Sequence, residues 1–428
     1  MTAISETEVN ERVDHLFRRH AGQMVAVLCR IFGFERIDLI EDAVQDALVA
    51  ALRKWPFTGM PDNPTAWLTQ AAKNRLIDRL RRDSRSQTDV EDLDLDGSAG
   101  ETPVFFTTEL SEDQLRMIFA CCHPALTADA QVALTLKIVG GFSVSEIASA
   151  YLAREDAISK MLTRAKSRLR ESMVTLEIPV ANEIPERLDA VLKVLYLMFN
   201  EGYGASGGNE LVRRDLCFEA IRLIELLAAQ PMTNSPKVHA AAALFFFQAS
   251  RLPARTDDLG ELILLETQDR ALWDNGLICR GIRHLRLSGS GGELSAFHLE
   301  AEIASIHALS PDYASTDWRR VLKCYETMQK ISFSPVAELN RIIAVARANG
   351  PHEALAELER LESTHEKMSA YNLFHITRGQ LYCETGDHKL AENSFRIASK
   401  LTKNQTVKRL IERKLKTSHA FQDKLATL

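Results

Sequence analysis

Apolar residues recur along almost the whole chain at spacings of three and four, which is the period of an amphipathic α-helix. Leu39, Ala43, Ala47, Ala50 and Ala51 are a clear example. No sustained alternation with a period of two, the pattern of a half-buried strand, is found in the sequence. The hydrophobic pattern therefore predicts an all-α fold.

The helical pattern breaks at two places, which divide the chain into predicted domains. Residues 83–108 are acidic, rich in Ser, Thr, Asp and Gly, and lack a helical period, which is typical of a flexible linker. A shorter break lies at 179–185, between two prolines. Because 428 residues exceed one ordinary core, we expect helical domains at 1–82 and 109–177 and a large helical region at 186–428.

The first domain is predicted to hold four helices, the third of which should end before Pro56. The loop PFTGMPDNP follows, and Asn63 is positioned to cap the next helix, TAWLTQAAKNRLIDRLRR. That helix has a single acidic residue, Asp78. Its basic residues are Lys73, Arg75, Arg79, Arg81 and Arg82.

Two aromatic residues, Trp55 and Trp67, flank the proline-rich loop. Aromatic rings beside a basic helix are suited to hold unstacked bases of single-stranded nucleic acid, because every base offers a face for stacking. The alternative for Trp67 is a tryptophan packed in the core. The pattern thus indicates a nucleic-acid surface and leaves a core role for Trp67 open.

Residues 128–170 show the spacing of a helix-turn-helix. A helix ends at a Gly-Gly pair, Ser143 and Glu146 form a predicted capping box, and residues 151–154 make the turn before the second helix. The second helix, AISKMLTRAKSRLR, carries five basic residues and no acidic one. Its apolar stripe consists of Ile158, Met161, Leu162, Ala165 and Leu169.

The remaining surface of that helix carries Lys, Arg, Ser and Thr, which contact phosphates and base edges when a helix enters a major groove. A solvated basic face is the alternative, but the helix-turn-helix spacing favours DNA binding. The formal net charge of −6 does not oppose this prediction, because residues 83–111 hold eight acids and one arginine. Local charge, and not the total, decides where DNA binds.

The C-terminal region contains a repeat signal. One register of the tetratricopeptide pattern, whose period is about 34 residues, fits six positions. A second unit at 335–364 fits weakly. The six positions are Gly379, Tyr382, Gly386, Ala391, Phe395 and Ala398.

Taken together, these motifs resemble an extracytoplasmic-function sigma factor of the sigma-70 family. DLIEDAVQDALVAALRKW resembles the region-two helix that docks on RNA polymerase, and PTAWLTQAAKNRLIDRLRR resembles the helix that reads and opens the −10 promoter element. VALTLKIVGGFSVSEIASAYLAREDAISKMLTRAKSRLR resembles region four, which reads the −35 element. EDQLRMIFACCHPAL and ERLDAVLKVLYLMFNEGY resemble the group with a large C-terminal extension and tetratricopeptide features.

The resemblance implies a non-enzymatic subunit that gives bacterial core RNA polymerase its specificity for promoter DNA, both double- and single-stranded. The implied polymerase contacts are Glu41, Asp42, Gln45 and Asp46, with a solvated acidic face as the alternative. The implied −10 contacts are Trp55, Trp67, Lys73, Asn74, Arg75, Asp78, Arg79, Arg81 and Arg82. The last two arginines are expected to touch phosphates.

The second helix of the helix-turn-helix supplies the expected −35 contacts. The candidates for base edges are Glu155, Ser159, Lys160, Thr163 and Arg164. The residues assigned to the DNA backbone are Lys166, Arg168 and Arg170.

The resemblance also implies that the C-terminal extension regulates the sigma domains, with a protein or signal as a further partner. The family's Asp-Gln-Asp-Arg segment corresponds to Thr267, Gln268, Asp269 and Arg270, and Thr267 departs from it. We expect an ion pair between Asp269 and Arg270. It either holds the extension against the sigma domains or stays within the extension.

No cofactor or metal site is predicted. Cys121, Cys122 and His123 are the nearest to one, but adjacent cysteines chelate a tetrahedral ion poorly. The seven cysteines form no CxxC motif, which fits reduced thiols in a cytoplasm. The most apolar run, 238–247, is too short for a membrane span, and the first residues lack the features of a secretory signal.

Two other classes of function remain as alternatives. A conventional helix-turn-helix regulator with a tetratricopeptide-type sensing or interaction domain has no use for a −10 melting helix. A protein-interaction scaffold would show no affinity for DNA at moderate salt. The sigma factor is favoured because it accounts for both basic helices.

Overall fold

The computed structural model describes residues 20–86 and 107–426, except 152, 175, 180–181, 205–211, 258, 332 and 403. It confirms the all-α prediction, since the described elements are helices apart from one isolated bridge between Thr256 and Leu262. The chain divides into two compact units. One comprises residues 1–149 and 153–194, and the other comprises 150–152 and 195–428.

Eight helices begin in the first unit, within the described residues. They are α1 (20–32), α2 (Ile37–Thr58), α3 (Pro64–Ser86), α4 (Thr107–Cys121), α5 (Ala128–Ile138), α6 (Val144–Tyr151), α7 (Glu155–Glu171) and α8 (Ile184–Tyr203). The predicted linker at 83–108 is shortened at both ends by α3 and α4, and its residues 87–106 lie outside the described part of the chain.

Helix α2 is longer than predicted, because Pro56 lies inside it. Proline removes one backbone donor and crowds the carbonyl four residues earlier, which is costly in mid-helix. Here it falls in the last turn, where a lost bond interrupts little. Gly59, at a φ of 77°, then closes the helix by donating its N–H to the Trp55 carbonyl at 2.9 Å.

The first unit joins the two predicted sigma domains in one packed body. A Cβ at Gly22 on α1 would lie 2.1 Å from the Val139 carbonyl oxygen, just after α5, so only glycine allows this approach. Arg30 on α1 also donates to Asp113 on α4 at 2.8 Å, and the Asp113 carboxyl is almost fully buried. The N-terminal helix is therefore fixed to the helices around the helix-turn-helix.

The second unit continues with ten helices among its described residues. They are α9 (Arg214–Ala229), α10 (Pro236–Ala249), α11 (Asn275–Ser288), α12 (Ala296–Leu309), α13 (Trp318–Ile331), α14 (Pro335–Ala348), α15 (Pro351–Thr364), α16 (Asn372–Thr385), α17 (His388–Leu401) and α18 (Gln405–Ala426). Helix α10 is apolar on all sides and packs against α9, α11 and α12. No described helix has an apolar stretch long enough to cross a membrane.

The six positions of the predicted repeat meet in the α16–α17 hairpin. A Cβ at Gly379 would lie 2.6 Å from the ring of Phe395, so the two helices cross closely at this glycine. Gly386 takes the left-handed conformation that ends α16. Ala391 and Ala398 are fully buried beside Phe395, and Tyr382 packs against them.

Candidate nucleic-acid interface

Helices α6 and α7 are predicted to form a helix-turn-helix, and α6 begins with the predicted capping box. Glu146 accepts the Ser143 N–H at 2.8 Å, and Ser143 Oγ accepts the Glu146 N–H at 3.1 Å. In α7 the apolar residues Ile158, Leu162 and Leu169 are buried. The helix thus has one fixed inner face and one outer face.

The five residues predicted to read base edges all lie on the outer face of α7 and are exposed. They are Glu155, Ser159, Lys160, Thr163 and Arg164. The Thr163 hydroxyl donates to the Ser159 carbonyl at 2.9 Å, which leaves its lone pairs toward solvent. These side chains span about two and a half turns of one exposed helix face, as expected for a helix that enters a major groove.

The three residues predicted to contact the DNA backbone separate into two groups. Arg168 is exposed, whereas Lys166 is only 9% exposed and faces α2. The Lys166 ammonium donates to Asp38 Oδ1 at 2.8 Å and also to Glu41, and Arg170 donates to Asp38. In this conformation two of the three are engaged by carboxylates and not open to phosphates.

The electrostatics of this cluster favour its charged form. Burial alone would lower the pKa of Lys166, but Glu41 and Asp38 outweigh it, and the pKa is raised. Burial acts in the opposite direction on Asp38, where Lys166 and Arg170 outweigh it and the pKa is lowered. We call Lys166, Arg170, Asp38 and Glu41 the clasp.

A sequence signal for the clasp existed and was missed. Lys166 follows Leu162 by four residues and precedes Leu169 by three, so it lies along the edge of the buried stripe. A basic residue at that edge is directed toward a packing neighbour and not away from it. The neighbour, Asp38, is 128 residues away in the sequence, so no local pattern identifies it.

The same helix α2 also holds the basic helix α3. Arg79 donates to Asp42 at 3.0 Å and to Asp46 at 2.9 Å, and Arg75 lies 3.5 Å from Asp46. Of the four predicted polymerase contacts, Gln45 is exposed, and the three carboxylates form ion pairs within the unit, counting Glu41 of the clasp.

The other predicted −10 residues on α3 are spread over its solvent side. Asn74 is exposed and accepts from Gln70 at 2.9 Å, and Lys73 is half-buried. Asp78, Arg81 and Arg82 are exposed. The guanidinium of Arg82 donates to the Asp78 carbonyl at 3.2 Å, which keeps it near the helix.

The two tryptophans pack against each other. Their ring centroids are 5.5 Å apart at an interplanar angle of 62°, and Trp55 is only 5% exposed. Trp67 is half-buried, with the Lys54 ammonium 5.8 Å from its ring centroid. In this conformation the Trp55 face is therefore covered, while Trp67 keeps an open part.

The last turn of α2, just before the loop to α3, presents an aromatic residue that was not among the predicted −10 contacts. Phe57 is 89% exposed, in the last turn of α2, and Met60 beside it is also exposed. Asn63 accepts the Ala66 N–H at 3.0 Å, so the predicted cap of α3 is present. An aromatic residue inside a proline- and glycine-rich loop, off the apolar stripe, was the available signal.

The predicted regulatory segment makes other contacts than the ion pair we expected. Asp269 Oδ1 caps a short 3₁₀ helix by accepting the Ala271 N–H at 2.9 Å. Arg270 donates to the carbonyls of Ser310, at 2.8 Å, and His307. The prediction of an Asp269–Arg270 pair was wrong, because the capping carboxylate and the adjacent guanidinium are committed to different partners.

Gln268 is buried in the same segment. Its amide donates to the Ile263 carbonyl at 3.1 Å, and its oxygen accepts from Arg251 at 3.4 Å. Gln268 is therefore held inside the fold.

The cysteines that were considered for a metal, Cys121 and Cys122, are buried around the end of α4. Burial raises the pKa of Cys122 to about 12. These two side chains are also held inside the fold.

Comparisons with known proteins agree with the N-terminal architecture. A model of sigma-70 region 2 matches residues 16–86, and a family of unknown function (DUF6596) matches residues 187–289. The uncharacterized protein R00370 of Rhizobium meliloti (strain 1021) is 39% identical over 375 residues, which are 87% of this chain and 88% of that protein. No solved structure matches the chain.

Proposed function

We propose that this chain, a sigma-70 family factor that belongs to the family of the R. meliloti protein R00370, directs bacterial core RNA polymerase to promoters. These promoters carry two separate DNA elements. The observation that carries the proposal is the outer face of α7. It exposes five predicted base-reading side chains in the same compact unit as sigma-70 region 2.

The −35 element is read by α7. Arg164 and Lys160 offer donors suited to guanine, and Ser159 and Thr163 offer hydroxyls. Arg168 contacts a phosphate and fixes the register of the helix without reading sequence. The rest of α7 is committed to the core of the unit.

The −10 element is opened by α3 and the loop before it. The basic residues of α3 attract the phosphates, and the exposed Phe57 and the open part of Trp67 offer faces on which an unstacked base can rest. A stacked base contributes about 1–3 kcal/mol in such sites, which offsets part of the cost of melting.

The clasp relates these roles to polymerase binding. Glu41 is a predicted polymerase contact and is also a partner of Lys166. When polymerase takes up Glu41, Lys166 loses one of its two carboxylates and becomes available to promoter phosphates, while Arg170 stays paired with Asp38. The predicted backbone role of Lys166 therefore belongs to the polymerase-bound form, and its pairing with Glu41 belongs to the free protein.

Transcription from genomic DNA by purified core polymerase, followed by sequencing of the transcript ends, tests the proposal. We expect new start sites that depend on this protein and share two spaced upstream motifs. Arg164→Ala should weaken these start sites and relax the shared upstream motif at one position, whereas the control Arg319→Ala, at an exposed arginine of α13, should leave both unchanged. Sequence-specific DNA binding with no polymerase-dependent start sites would favour a conventional regulator instead.

A further inference from the structure

The second unit contains a cavity of about 290 Å³ that none of the roles above uses. Helices α13, α14, α16 and α18 contribute to its walls, and the segment 264–266 covers part of it. A volume near 300 Å³ is at the lower end of the range of small-molecule pockets. The cavity is large enough for a small organic molecule and too small for a folded partner.

One part of the cavity is apolar and aromatic. Trp318, Val321 and Tyr325 line it from α13, and Ile343 lines it from α14. The ring of His307 stands edge-on to Trp318, with their centroids 5.2 Å apart. Such walls accept a flat aromatic ring or a short aliphatic chain and give no partner to a charged group.

Another part of the lining carries two cationic side chains. Arg347 donates to Glu384 at 2.7 Å, but its Nε is buried and has no acceptor. Lys414 donates to Gln380 at 2.6 Å, and burial lowers its pKa although Glu266 and Glu384 act against the shift. At Lys414 the acidic groups do not fully compensate burial, whereas at Arg347 burial is outweighed by Glu384 and Tyr313 and the pKa is raised. An added anion is therefore favoured beside Lys414, within reach of the unpaired Arg347 Nε–H.

His307 contributes an unsatisfied polar group to the lining. The residue is 9% exposed, and its Nδ1 is buried without a hydrogen-bond partner. Burial, together with Arg251 and Arg270, lowers its pKa to about 4, so the ring is neutral at pH 7. A neutral imidazole forms a hydrogen bond with a ligand without adding charge.

We propose that this cavity binds a small organic carboxylate with an aromatic or short aliphatic body. The carboxylate is held by Arg347 and Lys414, and the body lies among Trp318, Val321 and Tyr325. Arg347 supplies a free Nε–H for one oxygen, and the ammonium of Lys414 supplies further donors.

The cavity adjoins the segment predicted to regulate the sigma domains. Leu264, Leu265 and Glu266 line it, and they directly precede Gln268–Arg270. Arg270 also donates to the His307 carbonyl, from the residue whose ring lines the cavity. A bound ligand thus contacts residues 264–266 directly and reaches Arg270 through His307, although binding itself does not depend on the proposed function.

Displacement of 8-anilinonaphthalene-1-sulfonate from the full-length protein, followed by fluorescence, tests the proposal. The competitors are 4-phenylbutyrate, indole-3-acetate and octanoate, each paired with its uncharged amide. We expect saturable displacement by at least one acid, about tenfold tighter than by its amide, since a charge-assisted bond is lost in the amide. No displacement, or equal displacement by acids and amides, would overturn the proposal.

Two substitutions locate the site. Lys414→Met should abolish the preference for the acid, whereas Lys416→Met, an exposed lysine of the same helix, should keep it. Arg347→Gln is a second test of the same end if Lys414→Met does not fold, as judged by circular dichroism. A preference that survives in both variants would place the anion elsewhere and refute the site. Because no polymerase or DNA is present, failure here leaves the transcription result untouched.

Discussion

The two basic helices of the first unit, α3 and α7, look alike in sequence and differ in what their charges do. Both are amphipathic, and both form ion pairs with carboxylates of α2. On α3 these pairs are solvated, with Asp42 mostly exposed, whereas on α7 Lys166 is buried. The comparison teaches that a run of positive charge can combine exposed groups, here predicted to read DNA, with buried groups that hold the fold together.

Removing the buried member of the clasp should have the largest effect. Lys166→Met leaves the Glu41 carboxylate, itself mostly buried, without its main partner. Breaking a buried ion pair from one side costs about 3 kcal/mol or more, so we expect the free energy of unfolding to fall by about that amount. Urea unfolding measures it.

The matched control is Lys160→Met on the same helix, where the side chain is exposed. Substitutions at such sites usually change stability by no more than about 0.5 kcal/mol. Similar losses for the two variants would mean that the clasp does not stabilise the unit.

Arg164 and Arg168 lie on the outer face of α7 and are predicted to have different roles, Arg164 as a base reader and Arg168 as a phosphate anchor. Arg164→Ala should relax discrimination at one base pair of the −35 element, by about 1–3 kcal/mol. Arg168→Ala should weaken binding to all sequences alike and reduce the salt slope by about one. Affinities of the holoenzyme for single-base variants of the promoter, at several salt concentrations, separate the two. Equal losses across all variants for Arg164→Ala would make it an anchor.

The contrast between the faces of α7 shows what sequence could predict. The stripe from Ile158 to Leu169 and the Ser143 capping box have local periods, so the all-α fold and the two helices α6 and α7 followed from spacing alone. The exposure of the five predicted base-reading residues also followed, because they lie off that stripe, whereas their role stays a prediction. The clasp did not follow, since Asp38 and Lys166 are 128 residues apart in sequence and meet only in the folded chain.

The second unit shows the same limit. Gly379 and Phe395 match positions of the predicted repeat pattern, and they lie in contact in the α16–α17 hairpin. Arg270 instead donates to the backbone carbonyls of residues 307 and 310, which lie in α12 and directly after it. A carbonyl acceptor has no side-chain identity, and hence no pattern in the sequence predicts it.

The pH dependence of stability should distinguish two members of the clasp, Asp38 on α2 and Lys166 on α7. The lowered pKa of Asp38 means that its contribution to stability is present above its unfolded pKa of about 3.9 and is lost as pH falls through the folded value. The raised pKa of Lys166 means that its contribution is present below about 10.4 and is lost as pH rises through the folded value.

We therefore expect Asp38→Asn to remove about 1 kcal/mol at pH 7 and progressively less below pH 4. Urea unfolding of both proteins from pH 3 to 7 gives the difference directly. A difference that stays constant down to pH 3 would show that the carboxylate charge is not what Asp38 contributes.

The smallest effect is expected for α3. Arg79 donates to both Asp42 and Asp46, which resembles the clasp in connectivity, but all three side chains remain partly solvated. Water screens their attraction, and exposed pairs of this kind contribute about 0.2–1 kcal/mol. Arg79→Met should therefore lower the free energy of unfolding by less than about 1 kcal/mol, and 1 M salt should reduce the difference further. A loss as large as that of Lys166→Met would show that burial does not distinguish the ion pairs of α3 from those of α7. The division of α7 into a face that holds the fold and a face predicted to read DNA would then have to rest on geometry alone.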